Sequence, residues 1–130
     1  MKKEIIKTRD GLKDYLVRYP IVDTKWLKVY IHNFKSADED FELHDHPYSA
    51  FSVILRGGYV EQFLSRSRVR DVGSFGFLSA DTLHRIAHIF PNTWTLFIGG
   101  PRQKNWGFMV GKKWLPHQVH LSAKQHKRSA

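Results

Sequence analysis

Three histidines in this chain have the type and spacing to do chemistry. His44 and His46 stand one residue apart in HDHPYSAFSVILRGG, and His84 follows the turn-rich stretch GSFGFLSADTLH. In an extended segment alternate residues face one side, so Glu42, His44 and His46 project together while Leu43 and Asp45 point the other way. Two imidazoles on one face can chelate one ion, and a facing strand can bring His84 onto them. Asp45, on the opposite face, is expected to act structurally. His88, four residues after His84, could turn toward the same cavity. Plainer readings stand beside these: His-x-His at a strand end can be two solvated rings, and a single His84 can be a buried histidine bonded to the backbone. His32, His117, His120 and His126 have no partner at a telling spacing and are read as surface residues.

Cysteine is absent, which restricts a metal site to His, Asp, Glu or carbonyl ligands. Three neutral imidazoles leave open positions on a six-coordinate Fe(II), and the same ligand set satisfies Zn, Mn or Ni.

The elements that must carry these side chains read as strands. WLKVYIHNF (26–34) has β-branched and aromatic residues at strand density and ends in SADED. Residues 41–46 are extended up to Pro47, and the apolar run 50–55 ends at Gly57-Gly58, as a buried strand does. Residues 59–64 and 68–72 flank SRSR as a hairpin. Residues 75–78 form a short strand, residues 84–90 and 94–98 pair around PNT, and 106–110 and 114–115 close the series. A helical turn is expected only near Asp10–Val17. About nine short strands separated by turns predict an all-β, single-domain antiparallel sandwich or barrel. Residues 26–115 form the barrel, 1–25 an extension packing on it, and 116–130 a basic, mobile tail.

At 130 residues the chain suits one domain. No apolar stretch approaches the ~20 residues of a membrane helix, so no membrane partner is expected. The N-terminal residues lack the apolar centre of a secretion signal, and with the lack of cysteine this makes the cytoplasm the expected compartment. The formal charge of +9 is uneven: residues 1–81 hold 13 basic and 12 acidic side chains, residues 82–130 hold 8 basic and none acidic. Such asymmetry can mark a nucleic-acid partner, or simply a solvated terminus. Aromatic and basic residues are not interleaved on one platform, so nucleic acid ranks below a small-molecule ligand.

The spacing of the histidines resembles the two signature motifs of the cupin family. His44 and His46 supply H-x-H, and Gly57 or Gly58 the closing glycine of the first motif. Gly73 and His84 fall at the two ends of the second, with Ser79 and Asp81 where proline and glycine usually stand. The family's glutamate position falls on Ala50 or Phe51, neither a ligand, so three histidines remain. The resemblance implies a jelly-roll barrel with His44, His46 and His84 on a divalent metal, and a possible homodimer. Within the family, a three-histidine Fe(II) site is that of the thiol dioxygenases such as cysteine dioxygenase. These also read H-D-H with a serine close behind, like Ser49, and leucine-histidine-arginine before a β-branched residue, like Leu83-His84-Arg85-Ile86. Their supporting serine, histidine and tyrosine correspond here to Thr95, Phe97 and Gly99, so that only the hydroxyl is kept. Their upstream carboxylate-binding arginine corresponds in region to Arg18.

The reading that follows is a small metal-binding cupin, an Fe(II) dioxygenase acting on a small polar compound bearing a thiol or carboxylate. The alternative is a non-oxidative binding module or metal-assisted isomerase for a sugar-like ligand. Phe51, Val53, Phe75, Phe77, Trp94 and Phe97 are expected to wall the cavity or fill the core. Tyr48, Arg56, Tyr59, Glu61 and Arg85 are its expected polar groups. The substrate contacts are taken from Arg18, Tyr48, Arg56, Arg85 and Thr95.

Overall fold

The computed structural model describes residues 3–7, 11–37, 43–110 and 112–119. They form eleven strands: β1 (Glu4–Lys7), β2 (Asp14–Asp23), β3 (Lys28–Phe34), β4 (Ala50–Arg56), β5 (Gly58–Phe63), β6 (Ser67–Asp71), β7 (Phe75–Leu78), β8 (His84–Ile89), β9 (Thr93–Gly99), β10 (Gly107–Val110) and β11 (Lys113–Pro116). Every pairing among them is antiparallel. One sheet has six strands in the order β1-β2-β3-β9-β4-β7, and two smaller groups run β6-β5-β8 and β10-β11. His44 links the smaller groups by pairing with His84 on β8 and Phe108 on β10. The expected antiparallel all-β architecture is thus what the chain adopts.

Strand parity decides what each sheet offers to the interior. Across the six-stranded sheet, Arg18, His32 and Thr95 stand opposite one another in one row on the inner face. The outer face carries Tyr19, Ile31, Leu96, Val53 and Phe75 in one row and Val22, Val29, Ile98, Phe51 and Phe77 in a second. Between the sheets, Ile54 from β4 packs with Tyr59 from β5 and Ile86 from β8, and Phe34 and Ile89 close around them.

The chain leaves the large sheet for the small one at Gly57-Gly58. Gly57 has φ 72°, and a Cβ on Gly58 would lie 2.1 Å from the carbonyl oxygen of Arg70, so both positions need glycine. Thr93, fully buried, clamps this junction: its hydroxyl accepts from Gly58 N at 3.0 Å and has the carbonyls of Phe90 (2.7 Å) and Gly58 (2.9 Å) within donating reach. Nearby, the buried Arg70 guanidinium donates to Ser52 Oγ, Ser52 O and the Tyr59 hydroxyl, tying β6 to β4 and β5.

Two expectations are corrected. The segments around PNT do not form a hairpin: β8 pairs with β5, whereas β9 lies between β3 and β4. A turn signal cannot distinguish a hairpin from an arch between two sheets, and Asn92, at φ 56°, turns an arch. The helical turn near Asp10–Val17 is also absent from the described part of that stretch. Asp10 itself lies outside the described residues, and from Asp14 the chain is strand, because β2 pairs on both edges. Residues 4–23 therefore supply β1 and β2 to the large sheet.

Replacing Thr93 with valine keeps the shape and removes the hydroxyl, leaving the Gly58 N–H buried and unpaired. The expected loss is about 1–3 kcal/mol of unfolding free energy, read as a lower urea midpoint at unchanged slope.

Candidate metal centre

The backbone pair between His44 and His84 builds this site. His44 N donates to His84 O at 2.9 Å and His84 N to His44 O at 2.8 Å, so the two residues sit directly opposite and their side chains leave the sheet on the same face. His46, two residues on, projects to that face as well. The ring centroids lie 5.2 Å apart for His44–His46, 5.0 Å for His44–His84 and 4.9 Å for His46–His84. One nitrogen from each lies within 4.8 Å of the others, a set that could hold one metal ion.

Asp45 faces the other way, as expected, and anchors the segment. Its buried carboxylate accepts from Gly107 N at 2.7 Å and Trp114 Nε1 at 3.1 Å and pairs with the Lys104 ammonium. The H-D-H segment is thereby bolted to β10 and β11. Glu42, expected beside the histidines, lies outside the described residues.

Behind His84 stands Glu61, fully buried, with Oε2 2.8 Å from His84 Nδ1 and Oε1 accepting from Arg68 Nε (2.9 Å). Burial works to raise the Glu61 pKa, but the hydrogen bonds and charges of His84 and Arg68 together outweigh it and hold the carboxyl below its ordinary value. An ionised carboxylate only accepts, so Nδ1 of His84 donates to it and Nε2 is the ring nitrogen left for a ligand. That Nε2 is buried with no hydrogen-bond partner among the described residues. An orphaned imidazole lone pair, backed by a carboxylate on the other nitrogen, fits a metal ligand. Glu61 is accordingly not a polar group of the cavity; it orients His84 from behind.

The three histidines open into a cavity of about 380 Å³ whose lining includes Arg18, His32, Tyr48, Ser52, Tyr59, Thr95, Phe97 and Trp106. Of the substrate contacts expected from sequence, Arg18, Tyr48 and Thr95 line it. Arg56 and Arg85 do not: Arg56 is exposed past the bulge in β4, and Arg85, on the opposite parity of β8 from His84, donates to Gln62. His88 is exposed against Phe90. Among the expected wall residues only Phe97 touches the cavity. Phe51, Val53, Phe75, Phe77 and Trp94 belong to the outer parity of the large sheet.

His32 corrects the sequence reading most. It is 6 % exposed rather than a surface residue, because its parity on β3 is that of Tyr30 and Phe34. Its Nε2 accepts from Arg18 Nε at 3.2 Å, and the Arg18 guanidinium also lies over the Tyr30 ring, 4.7 Å from its centre. Burial, and then the Arg18 charge, lower the His32 pKa from 6.5 to about 3. His117, also expected at the surface, is half-buried and stacks on Trp106 at 4.3 Å. His120 and His126 lie outside the described residues.

The His32 shift makes stability depend on pH. Between about pH 3 and 6.5 the unfolded chain binds a proton that the folded chain refuses, so acidification through this window removes stability. His32→Gln keeps an acceptor for Arg18 and abolishes the titration. Its unfolding free energy is expected to fall less between pH 6.5 and pH 4 than that of the parent, by on the order of 2 kcal/mol, measured by urea titration at each pH.

No protein-family profile and no curated protein sequence matches the chain. Solved structures do match. A Ralstonia eutropha JMP134 protein assigned provisionally as a mannose-6-phosphate isomerase superposes with TM-score 0.61 at 19 % identity, over 66 % of this chain and 84 % of its own. The Fe(II) form of HppE gives 0.60 at 16 % identity, over 75 % of this chain and 56 % of HppE. An RmlC-like cupin from Shewanella frigidimarina NCIMB 400 gives 0.58 at 16 % identity, over 78 % and 86 %. At such identities the likeness speaks for architecture alone, and it gives this chain the cupin fold of the RmlC-like proteins.

Proposed function

We propose that the protein is a metal-dependent cupin enzyme in which His44, His46 and His84 hold one divalent ion, Fe(II) in preference to Zn, Mn or Ni, and which oxygenates a small polar compound. The observation that carries this reading is the gathering of three imidazoles at a cavity that also holds a part-buried arginine bonded to a buried histidine. Bound Fe(II) would supply open coordination positions for dioxygen and a chelating substrate.

The remaining roles fall to the chain's own groups. Glu61, held by Arg68, fixes the His84 ring and its tautomer. Arg18, fixed through Nε by His32 and with Nη1 3.8 Å from Glu4 Oε2, is the cation that would meet the ligand's acid group, and a carboxylate suits its planar fork. Tyr48 and Thr95 contribute hydroxyls, and burial raises the Tyr48 pKa, which keeps its proton available for donation. Phe97 and Trp106 line the cavity as apolar surface and limit its water. A thiol on the ligand would complete the chelate at the metal.

A second reading, a non-oxidative binding module or metal-assisted isomerase for a sugar-like ligand, draws support from Phe97 and Gly99. They stand where the thiol dioxygenases place a histidine and a tyrosine, and Phe97 brings an apolar ring into the cavity instead. The likeness to the Ralstonia eutropha JMP134 protein is in keeping with it.

Elemental analysis of protein purified without added metal is expected to find close to one ion per chain. His84→Ala should lose it, and Glu61→Gln should weaken binding about 10- to 100-fold in a chelator competition; unchanged metal content in His84→Ala rejects the site. With Fe(II) and a panel of small thiols with and without a carboxylate, substrate-dependent oxygen uptake is expected. Arg18→Gln should raise KM for the carboxylated members at least tenfold and change kcat little. Metal binding without oxygen uptake on any compound favours the non-oxidative reading.

A further inference from the structure

Arg70, on β6, is a buried charge that the metal centre does not use. It is 1 % exposed, and no carboxylate among the described residues pairs with it. Its five N–H groups go to neutral oxygens instead. Nε donates to Ser74 Oγ at 3.2 Å, Nη1 to Ser52 Oγ at 2.7 Å and the Tyr59 hydroxyl at 2.8 Å, and Nη2 to Ser52 O at 2.9 Å and Ser74 O at 3.3 Å. The guanidinium therefore has no donor left for a ligand, and neutral acceptors leave its charge uncancelled. Ser52 and Tyr59 carry that charge forward: both line the cavity, and Arg70 does not. Each hydroxyl oxygen accepts from Nη1, so neither hydroxyl proton is spent on the guanidinium. Ser52 also lies within hydrogen-bonding reach of the Tyr59 hydroxyl, which can keep one of the two protons within the pair. The other has no acceptor among the described residues, and the cation behind it makes it a stronger donor. Burial raises the Tyr59 pKa against the opposing effect of Arg70, so the phenol holds its proton.

We propose that the Ser52 and Tyr59 hydroxyls, backed by Arg70, form a second acid-binding subsite of the cavity, and that the ligand is a small compound with two carboxylates. The inference rests on the reading of Arg18 as the contact for one acid group. An unpaired buried cation is costly, and an anionic group held at these hydroxyls supplies the missing counter-charge. The two subsites stand at opposite sides of the large sheet. β3 and β9 separate β2 from β4, so the backbones of Arg18 and Ser52 lie roughly 14 Å apart, a gap that the long Arg18 side chain narrows. A single carboxylate meets one of these ends only. Between them β9 places Phe97, opposite Ser52 in the sheet, against the cavity. An apolar ring between two donor ends suits the methylene chain of a linear diacid.

Isothermal titration calorimetry of the full chain tests this, with the linear diacids from succinate to pimelate and the monoacids of the same lengths as probes. Each is measured on protein as purified and again after dialysis against EDTA. The best diacid is expected to bind at least roughly tenfold more tightly than its monoacid, the worth of one charge-assisted hydrogen bond. Tyr59→Phe and Ser52→Ala are each expected to lose most of that preference and to leave monoacid affinity within about twofold, since the monoacid is held at Arg18. Urea midpoints check that the variants fold; should Ser52→Ala fail, Tyr59→Phe, which keeps the ring, carries the test. Equal affinity of the parent for diacids and monoacids overturns the inference. So does a preference that survives in folded Tyr59→Phe, or an equal loss of both probe classes in that variant, which marks the hydroxyl as structural. A diacid preference in protein that takes up no metal rejects the metal centre and keeps this subsite. A metal-bearing chain without the preference rejects the subsite alone.

Discussion

The site depends on two backbone hydrogen bonds. Reciprocal N–H···O=C contacts between His44 and His84 join the segment that carries His44 and His46 to the edge of β8. Their antiparallel geometry leaves the two imidazoles no choice but a common face. The same residue pairs on its other side with Phe108, flanked by Asp45 N bonded to Gly107 O and Met109 N bonded to Leu43 O, so this short segment joins β8 to β10. A change that slid this register by one residue would turn His44 and His46 to the Asp45 side and bring a carboxylate into the cavity. Asp45 opposes that slip, since its carboxylate is held by Gly107 N, Trp114 and Lys104 on the far face. The polar residue between the two histidines is thus a register lock.

Orientation is then refined by charge. A fully buried carboxylate with nothing to accept from would be costly, but Glu61 is bonded on both oxygens, to Arg68 and to His84. The result is a fixed ring with Nδ1 engaged and Nε2 turned away from the carboxylate. The opposite wall repeats the principle with other parts: Arg18 needs an acceptor for Nε, and His32 offers one only while neutral, which burial enforces. Each wall therefore fixes an imidazole by a different means. On one side a carboxylate takes up the ring's N–H; on the other a cation lies against the ring's lone pair.

Much of this was legible in the sequence, and the failures share one cause. Composition and turn spacing specify the strands well: Phe75–Leu78 is a strand as expected, and the hairpin around SRSR forms within one residue of its expected bounds. The spacing of His44, His46 and His84 was sufficient to bring them together in the reading. What the chain does not declare is which parity faces inward. In β4 and β9 apolar residues stand on both faces: Phe51, Val53, Leu96 and Ile98 on the outer one, Ile54 and Phe97 on the inner one with Ser52 and Thr95. Hydrophobicity alone therefore does not say which row turns inward, and it places Phe75 and Phe77 inside and His32 outside, where the fold does the opposite. The role of Glu61 was hidden for a related reason. It lies 23 residues from His84, and only the pairing of β5 with β8 reveals that the two are neighbours.

The inverted polarity of the large sheet has a physical consequence for the site. A sandwich normally gains most from burying apolar side chains between its sheets, and here part of that interior is given to Arg18, His32, Ser52 and Thr95 around a cavity. The compact core that remains, Ile54, Tyr59 and Ile86 with their neighbours, is correspondingly small. Buried polar groups hold their positions only if each is bonded, and Arg70, Thr93, Glu61 and His32 each are: Arg70 to Ser52 and Tyr59, Thr93 to the Gly58 junction, Glu61 to Arg68 and His84, His32 to Arg18. The outer rows of β4, β7 and β9 are meanwhile apolar, and Phe75 and Phe77 on them are exposed. A polar cavity on one side of the sheet and an apolar surface on the other are thus two consequences of one choice of strand parity.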